Sequence, residues 1–327
     1  MSFEFNPAVR QDLPLIIGVA GPTGSGKTYS ALRLARGLAG AARFAVIDTE
    51  NGRALHYADE FEFDHGSLDA PFNPARYAEA IAAADQAGYP VIVVDSASHE
   101  HVGEGGLLDM HEDELQRMTR GNDSRRDAMT MAAWINPKRE HKRFVSDLLR
   151  VRAHLILCFR AEEKVEIGKD NRGRTVIQPK KSFTGSEDGW IPVAEKTLPY
   201  ELTLSLLVTP DKPGHPKPIK LQQQHRLLVP LDKPLAEETG LALGAWATGE
   251  KADNDEKIIE LSSKLLELAD DLDNRDVTTA AIQKNRADNG DAAHRNWLER
   301  QVAKFQAAVD AKKAEPAADI ELEPAAA

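Results

Sequence analysis

The stretch LPLIIGVAGPTGSGKTYSALRLARGL, residues 13–38, decides the fold of this chain. Residues 13–20 form a short apolar run with β-branched side chains, which predicts a buried parallel strand. The segment GPTGSGKT follows at residues 21–28, and residues 29–38 have the composition of a helix. This order of elements is typical of a phosphate-binding loop, because glycines let successive backbone N–H groups curl towards an anion.

The loop fits the pattern G-x-x-x-x-G-K-[ST] without a mismatch, which predicts nucleotide binding. The positive end of the following helix dipole strengthens the field at the phosphates. We expect Lys27 to neutralise phosphate oxygens and Thr28 to offer its hydroxyl group to Mg²⁺, which prefers hard oxygen ligands. The residues predicted to bind ATP are Gly21, Pro22, Thr23, Gly24, Ser25, Gly26, Lys27 and Thr28.

Further apolar runs predict more buried strands along the chain. They lie at residues 43–48, 90–95 and 154–159. Helix-like segments separate them, and strands that alternate with helices imply crossover connections and a parallel sheet. The predicted fold class is therefore α/β, a P-loop NTPase core with a mainly parallel sheet flanked by helices.

The pattern of apolar residues changes near residue 250, where these residues begin to recur at helical spacing. We expect a small helical hairpin there, followed by a polar, acidic tail without a stable structure. The predicted segments are an N-terminal extension, the ATPase core, the helical hairpin and the tail, at residues 1–12, 13–248, 249–313 and 314–327.

Two acidic residues follow or end predicted strands and are candidates for catalysis. Asp95 ends the run PVIVVD, a Walker B pattern, and we expect it to help hold Mg²⁺. Glu50 follows the second strand in the segment IDTE. Because Ser96, the residue after Asp95, carries no carboxylate, Glu50 is the better candidate for the general base that activates water. The alternative is that Glu50 only begins a loop.

At these motifs the sequence resembles the RecA/RadA-like ATPases, and more narrowly a bacteriophage group of AAA-type and single-strand annealing recombination proteins. The resemblance rests on GPTGSGKT, IDTENGRA, VIVVDS and WINPKREHKRFVSDLLRVRAHLILCFRA, and it spans residues 13–248. It implies a RecA-like core in which Lys27 and Glu50 support ATP hydrolysis. It also implies that Arg160, after the fourth strand, senses the γ-phosphate, although this group often has Gln there. A salt bridge from Arg160 to Glu162 or Glu163 is the alternative.

RecA-like proteins bind DNA through the segments after the Walker B strand and after the next strand, and both are basic here. Residues 117–152 contain ten Lys or Arg and four acids, and residues 160–181 contain seven and four. Two β-like arms, Val165–Ile167 and Thr175–Ile177, flank a turn and predict a hairpin. The residues predicted to contact single-stranded DNA are Lys164, Lys169, Arg172, Arg174, Lys180 and Lys181. The alternatives are a solvated basic surface, or cations that reach a neighbouring subunit's nucleotide.

The composition limits the classes of function. The net charge is −11, from 41 basic and 52 acidic residues, which argues against a uniformly basic nucleic-acid binder. Residues 250–327 hold eleven bases and eighteen acids, however, so the core itself is close to neutral. The single cysteine, Cys158, favours a reducing compartment, and neither a long apolar run nor a signal peptide is evident. We therefore expect a cytoplasmic protein without a membrane segment.

These patterns together predict a Mg²⁺-dependent ATPase that acts on single-stranded DNA in phage recombination or replication, in the host cytoplasm. The resemblance implies a homo-oligomer, with a phage single-strand-binding or replication protein as a candidate partner. The main alternative is an ATP-binding phage assembly or regulatory protein that does not bind DNA. A small-molecule kinase is a weaker alternative, because it would also need an acceptor pocket and a lid.

Overall fold

The chain forms two compact units, Met1–Thr248 and Gly249–Ala327. A computed structural model describes residues 8, 10, 12–169, 175–179, 189–249, 253–288 and 291–314. The first unit contains the phosphate loop and a β-sheet, and the second unit is helical.

The strands of the first unit are β1 (Ile16–Gly21), β2 (Phe44–Asp48), β3 (Phe63–Ser67), β4 (Val91–Asp95), β5 (His154–Glu163), β6 (Val165–Lys169), β7 (Thr175–Pro179), β8 (Trp190–Pro192), β9 (Leu204–Thr209) and β10 (Lys212–Lys220). The main sheet has the order β10-β9-β1-β5-β4-β2-β3, and β8 pairs with β5. Strands β10 and β8 are antiparallel to their partners, and the other pairs in this sheet are parallel. The prediction of an α/β fold with a mainly parallel sheet is confirmed.

The helices of the first unit are α1 (Lys27–Ala39), α2 (Pro74–Gln86), α3 (His99–Val102), α4 (Leu107–Thr119), α5 (Arg126–Ala133), α6 (Ile135–Leu148), α7 (Leu198–Glu201), α8 (Gln223–Arg226) and α9 (Glu237–Ala247). Helices α1 and α9 contribute to the core on one face of the sheet, and α2 and α6 contribute to the core on the other. Because both faces are covered, every residue of β1, β2 and β4 is buried. This explains why these strands have continuous apolar runs instead of alternating patterns.

Strand β3 was not predicted from the sequence. Its residues, FDHGS, contain a single large apolar side chain. It lies at the edge of the sheet, and among the described strands it pairs only with β2. An edge strand is half-exposed, so it does not need the apolar run that marks the central strands.

Strands β6 and β7 form a separate two-stranded sheet. They pair antiparallel, with Val165 opposite Pro179 and Lys169 opposite Thr175. The predicted hairpin is therefore confirmed, although its turn lies outside the described residues.

The second unit contains α10 (Asp253–Asp271), α11 (Arg275–Asp288) and α12 (Asp291–Ala314). The prediction of a two-helix hairpin is wrong in this respect, because α11 lies between the two expected helices. Its sequence, RDVTTAAIQKNRAD, has few large apolar residues and so gave a weak periodic signal. Apolar residues of α10 and α12, such as Leu265 and Leu298, are buried in the core of this unit.

The N-terminal extension and the acidic tail lie largely outside the described residues. In the part of the chain that the structure describes, no helix is both long and apolar enough to cross a membrane.

Helices α1 and α9 cross at glycines that allow their backbones to touch. A Cβ atom added to Gly37 would lie 1.9 Å from the carbonyl oxygen of Glu237. One added to Gly240 would lie 2.2 Å from the carbonyl oxygen of Leu34. Because backbone atoms cannot move aside as a flexible side chain can, both positions require glycine. The crossing fixes α1, and with it the phosphate loop, against α9.

Gly37→Ala is expected to lower the free energy of unfolding by about 1–3 kcal/mol, because the added methyl group must force the two helices apart. The higher helix propensity of alanine, worth about 1 kcal/mol, opposes this effect but does not cancel it. Urea denaturation of the sheet-containing unit measures the change. Gly244→Ala is the matched control on α9, since its Cβ would meet its nearest neighbour at 3.6 Å. Equal destabilisation by both variants would contradict the close crossing.

Candidate nucleotide-binding site

The phosphate loop joins β1 to α1 at the carboxyl edge of the parallel sheet. Gly24 and Gly26 have φ angles of 79° and 78°, which residues with side chains rarely adopt. Helix α1 begins at Lys27 without a side-chain cap. A Cβ atom on Gly21 would lie 2.4 Å from the hydroxyl oxygen of Ser25. The glycines therefore give the loop its tight curvature and leave the N–H groups of the helix terminus for an anion.

A cleft of about 920 Å³ lies over this loop, large enough for a nucleotide. All eight predicted ATP-binding residues line it, together with Glu50 and Arg160. The lining residues that the sequence motifs did not reveal are Tyr29, Arg53, Tyr57, Ala161, Glu162, Trp190, Pro210 and Pro213. Of these, only Arg53 and Tyr57 could have been predicted to lie at the site, because they follow Glu50 within the segment NGRALHY.

Aromatic rings form part of the cleft wall next to the loop. The ring centroid of Tyr29 lies 5.7 Å from that of Tyr57 and 5.6 Å from that of Phe61. The Tyr29 hydroxyl group donates a hydrogen bond to Glu60, which fixes the ring. Tyr29 and Tyr57 line the cleft and offer a flat apolar surface of the kind that stacks on a nucleobase.

The donors and acceptors around Thr28 and Asp95 fit a Mg²⁺ ion. The Thr28 hydroxyl group donates a hydrogen bond of 2.5 Å to Oδ2 of Asp95. The other carboxylate oxygen, Oδ1, is buried and has no hydrogen-bond partner among the described residues. Burial raises the pKa of Asp95, although the charge of Lys27 opposes the shift. A bound divalent cation would use the unpartnered oxygen and stabilise the ionised form.

Glu50 lies between two arginines. Its Oε1 accepts hydrogen bonds from Nε and Nη2 of Arg160, at 3.1 and 2.9 Å. Its Oε2 accepts one from Nη1 of Arg53, at 2.8 Å. The side chain of Glu50 is only 6% exposed. Burial alone would raise the pKa of Glu50, but Arg160, Arg53 and Lys27 together hold it below the usual value. The carboxylate is therefore ionised and faces the phosphate loop.

Arg160 lies beside the loop because of the strand register. It pairs with Gly21 across β1 and β5, at the point where both strands meet the cleft. Its side chain is bonded to Glu50, whereas the partners considered from the sequence were Glu162 and Glu163. The guanidinium group is half-exposed, so it is accessible to a bound phosphate.

Only part of the predicted DNA-contacting set falls within the described residues. Lys164 is exposed and follows β5 directly, and Lys169 is the last residue of β6. Arg172, Arg174, Lys180 and Lys181 lie outside the described residues.

Helix α6, in the insertion between β4 and β5, has one apolar and one basic face. Its buried residues are Pro137, His141, Phe144 and Leu148. The basic residues exposed on the opposite face are Lys138, Arg139, Lys142 and Arg143. The ammonium group of Lys138 lies 5.9 Å from the ring centroid of Trp134, which precedes the helix. This face combines exposed cations with a nearby indole ring.

Comparison with known proteins agrees with the geometry of the loop. No curated protein has a sequence that matches this chain. The model of an AAA domain matches residues 13–187, which is more than half of the chain. The match includes the phosphate loop, Glu50, Asp95 and Arg160. The chain therefore belongs to this family of AAA-type P-loop ATPase domains.

Proposed function

We propose that this protein is a Mg²⁺-dependent ATPase with a RecA-like core that acts on single-stranded DNA in phage recombination or replication. The observation that carries the ATPase is that Glu50 and Thr28 line one cleft over the phosphate loop, with Thr28 hydrogen-bonded to the buried Asp95. The position of β5 between β1 and β4 supports a RecA-like core, because it brings Arg160 next to the loop. The segments 13–248 and 249–313 are proposed as the ATPase core and an appendage.

The mechanism follows from the side chains around the cleft. The N–H groups of the loop and Lys27 bind the phosphates, and the Thr28 hydroxyl and Asp95 hold Mg²⁺. The ion, when bound, neutralises charge that develops on the phosphate oxygens. Glu50 accepts a proton from the attacking water, whose oxygen bonds to the γ-phosphorus while the bond to the ADP oxygen breaks.

Arg160 couples nucleotide binding to the freeing of the base. Guanidinium groups bind both carboxylate oxygens of Glu50 and lower its basicity, so the side chain becomes a stronger base when one of them leaves. Arg160 and Arg53 are 49% and 63% exposed, so either guanidinium can turn towards a γ-phosphate in the same cleft. A phosphate binds guanidinium in two-point contacts and competes well with a carboxylate. Binding of ATP thus releases Glu50 where water is needed.

Single-stranded DNA is proposed as the partner because of exposed basic residues at Lys164 and on α6. Exposed Lys164 leads from β5 into the hairpin, and the basic face of α6 lies in the insertion that follows β4. A single strand binds to cations that track its backbone and to aromatic rings that stack on its bases. Homo-oligomers and a phage single-strand-binding or replication protein are proposed as further partners, in the host cytoplasm.

The first test is ATP hydrolysis measured with and without single-stranded DNA. Stimulation of turnover by DNA supports the proposal. ATP hydrolysis without DNA binding at low salt would favour the alternative, an ATP-dependent assembly or regulatory protein.

Glu50→Gln is expected to lower the ATP turnover number by about 10²–10⁴-fold, because the amide cannot accept the proton of the attacking water. The affinity for an ATP analogue should stay close to that of the wild type, since Lys27 and the loop are intact. Steady-state hydrolysis and fluorescence titration measure the two quantities. Turnover at the wild-type rate would remove Glu50 as the base. Lys27→Ala should instead lose nucleotide affinity.

Arg160→Gln is expected to move the acidic limb of the kcat/KM–pH profile, which reports the free enzyme, to higher pH. The base acts only as a carboxylate, so activity is lost as the pH falls through its pKa. Arg160 lowers the pKa of Glu50, and its removal therefore raises the pH at which activity is lost. Arg43→Gln is a matched control, because Arg43 forms an exposed ion pair with Asp64 away from the cleft. An unchanged limb in Arg160→Gln would contradict the coupling.

The double variant Lys138→Glu, Lys142→Glu should weaken binding to an oligo-dT strand and flatten its salt dependence. The log–log slope should fall by about 0.7 for each phosphate that the strand no longer places against a lysine. Fluorescence anisotropy at several salt concentrations measures both effects. Lys233→Glu is the control, because this exposed lysine lies between α8 and α9. Wild-type affinity in the double variant would exclude α6 from the DNA surface.

A further inference from the structure

Glu50 lies in a tight turn between β2 and a 3₁₀ turn that begins at Arg53. Asn51 and Gly52, the next two residues, have φ angles of 56° and 77°, in the left-handed region. These two residues reverse the chain, so that the N–H group of Ala54 points back towards the end of β2. The direction of the Glu50 side chain therefore depends on what holds this turn closed.

The carboxylate of Asp48 closes the turn from both ends. Its Oδ1 accepts a hydrogen bond from the Glu50 backbone N–H at 2.6 Å, and its Oδ2 accepts one from the Ala54 N–H at 2.8 Å. His65 of the neighbouring strand β3 places Nε2 3.3 Å from the same Oδ2. Asp48 is only 1% exposed. A buried carboxylate that accepts two backbone N–H groups is strongly ordered.

The next residue ties this turn to the proposed Mg²⁺ site. The N–H group of Thr49 donates to the carbonyl oxygen of Asp95 at 2.8 Å. The N–H group of Ser96 donates to the Thr49 hydroxyl oxygen, also at 2.8 Å. The turn that Asp48 holds closed is therefore hydrogen-bonded, through Thr49, to the segment that carries Asp95.

We propose that Asp48 is the positioning residue that directs Glu50 at the attacking water, an inference that rests on the proposed role of Glu50 as the base. Asp48 is not among the residues that line the cleft, so it acts through the backbone of the turn. The two N–H groups require two acceptor oxygens on one short side chain. Aspartate provides them, whereas asparagine would set an N–H donor against one of the two N–H groups.

Asp48→Asn is expected to lower the turnover number by about 10- to 100-fold, because a shift of about 1 Å in a catalytic group has an effect of this size. The KM and the affinity for an ATP analogue should change by no more than a factor of about two, since the phosphate loop is untouched. Steady-state hydrolysis and analogue titration on the full chain measure this separation.

Asp85→Asn is the matched control. The Oδ1 atom of Asp85 also accepts two backbone N–H groups, from Arg152 and Ala153, both at 3.0 Å. Asp85 lies near the end of α2, at the amino ends of the sheet strands, where β5 begins. Asp85→Asn makes the same change from carboxylate to amide away from the cleft and should leave the turnover number unchanged. Equal loss of turnover in both variants would reduce Asp48 to a stabilising residue and overturn the proposal.

The double variant Asp48→Asn, Glu50→Gln separates this inference from the proposed function. If Asp48 acts through Glu50, adding Asp48→Asn to Glu50→Gln lowers turnover no further. Additive losses would overturn the positioning role while Glu50 stays the base. Wild-type turnover in Glu50→Gln alone would instead overturn the base assignment itself. Asp48→Ser, which keeps one acceptor and adds no bulk, replaces Asp48→Asn if that variant does not fold.

Discussion

The hydrogen bond from Thr28 to Asp95 joins segments 67 residues apart and sets the geometry of the cleft. Strand β5 lies between β1 and β4, so the two side chains approach each other across an intervening strand. Cys158 of β5 pairs in register with Val19 on one side and with Asp95 on the other. The phosphate loop must therefore curl back over β5, which its glycines with positive φ allow.

The charges in the cleft explain how the same side chains can serve both the free protein and the nucleotide-bound protein. Lys27, Arg53 and Arg160 lower the pKa of Glu50, and all three line the space over the phosphate loop. Without a polyanion, Arg53 and Arg160 both form salt bridges with Glu50. A triphosphate in the cleft brings its own negative charge, and the arginines then have a competing partner. In the proposed mechanism, Glu50 is held ionised in the free protein and is released by the substrate.

The sequence predicted the structure best where the fold allows only a few residue types. The phosphate loop and the central strands were predictable, because a parallel sheet covered on both faces needs continuous apolar runs and the loop needs glycines at fixed positions. The edge strand β3 and helix α11 were missed, since neither carries a strong apolar period. The pairing of Glu50 with Arg160 could not be predicted from the sequence, because a salt bridge between residues 110 positions apart depends on strand order. The hairpin was predicted from its two β-like arms and the turn residues between them.

The backbone contact between α1 and α9 has a mechanical consequence for this cleft. Because Gly37 and Gly240 already contact the opposite backbone, α1 cannot move closer to α9. The wall formed by the phosphate loop is therefore stiff. The facing wall is also built on paired backbone, because Arg160 belongs to β5 and Trp190 belongs to β8, which pairs with β5. With both walls held in this way, the response to a bound phosphate falls to exposed side chains such as that of Arg160.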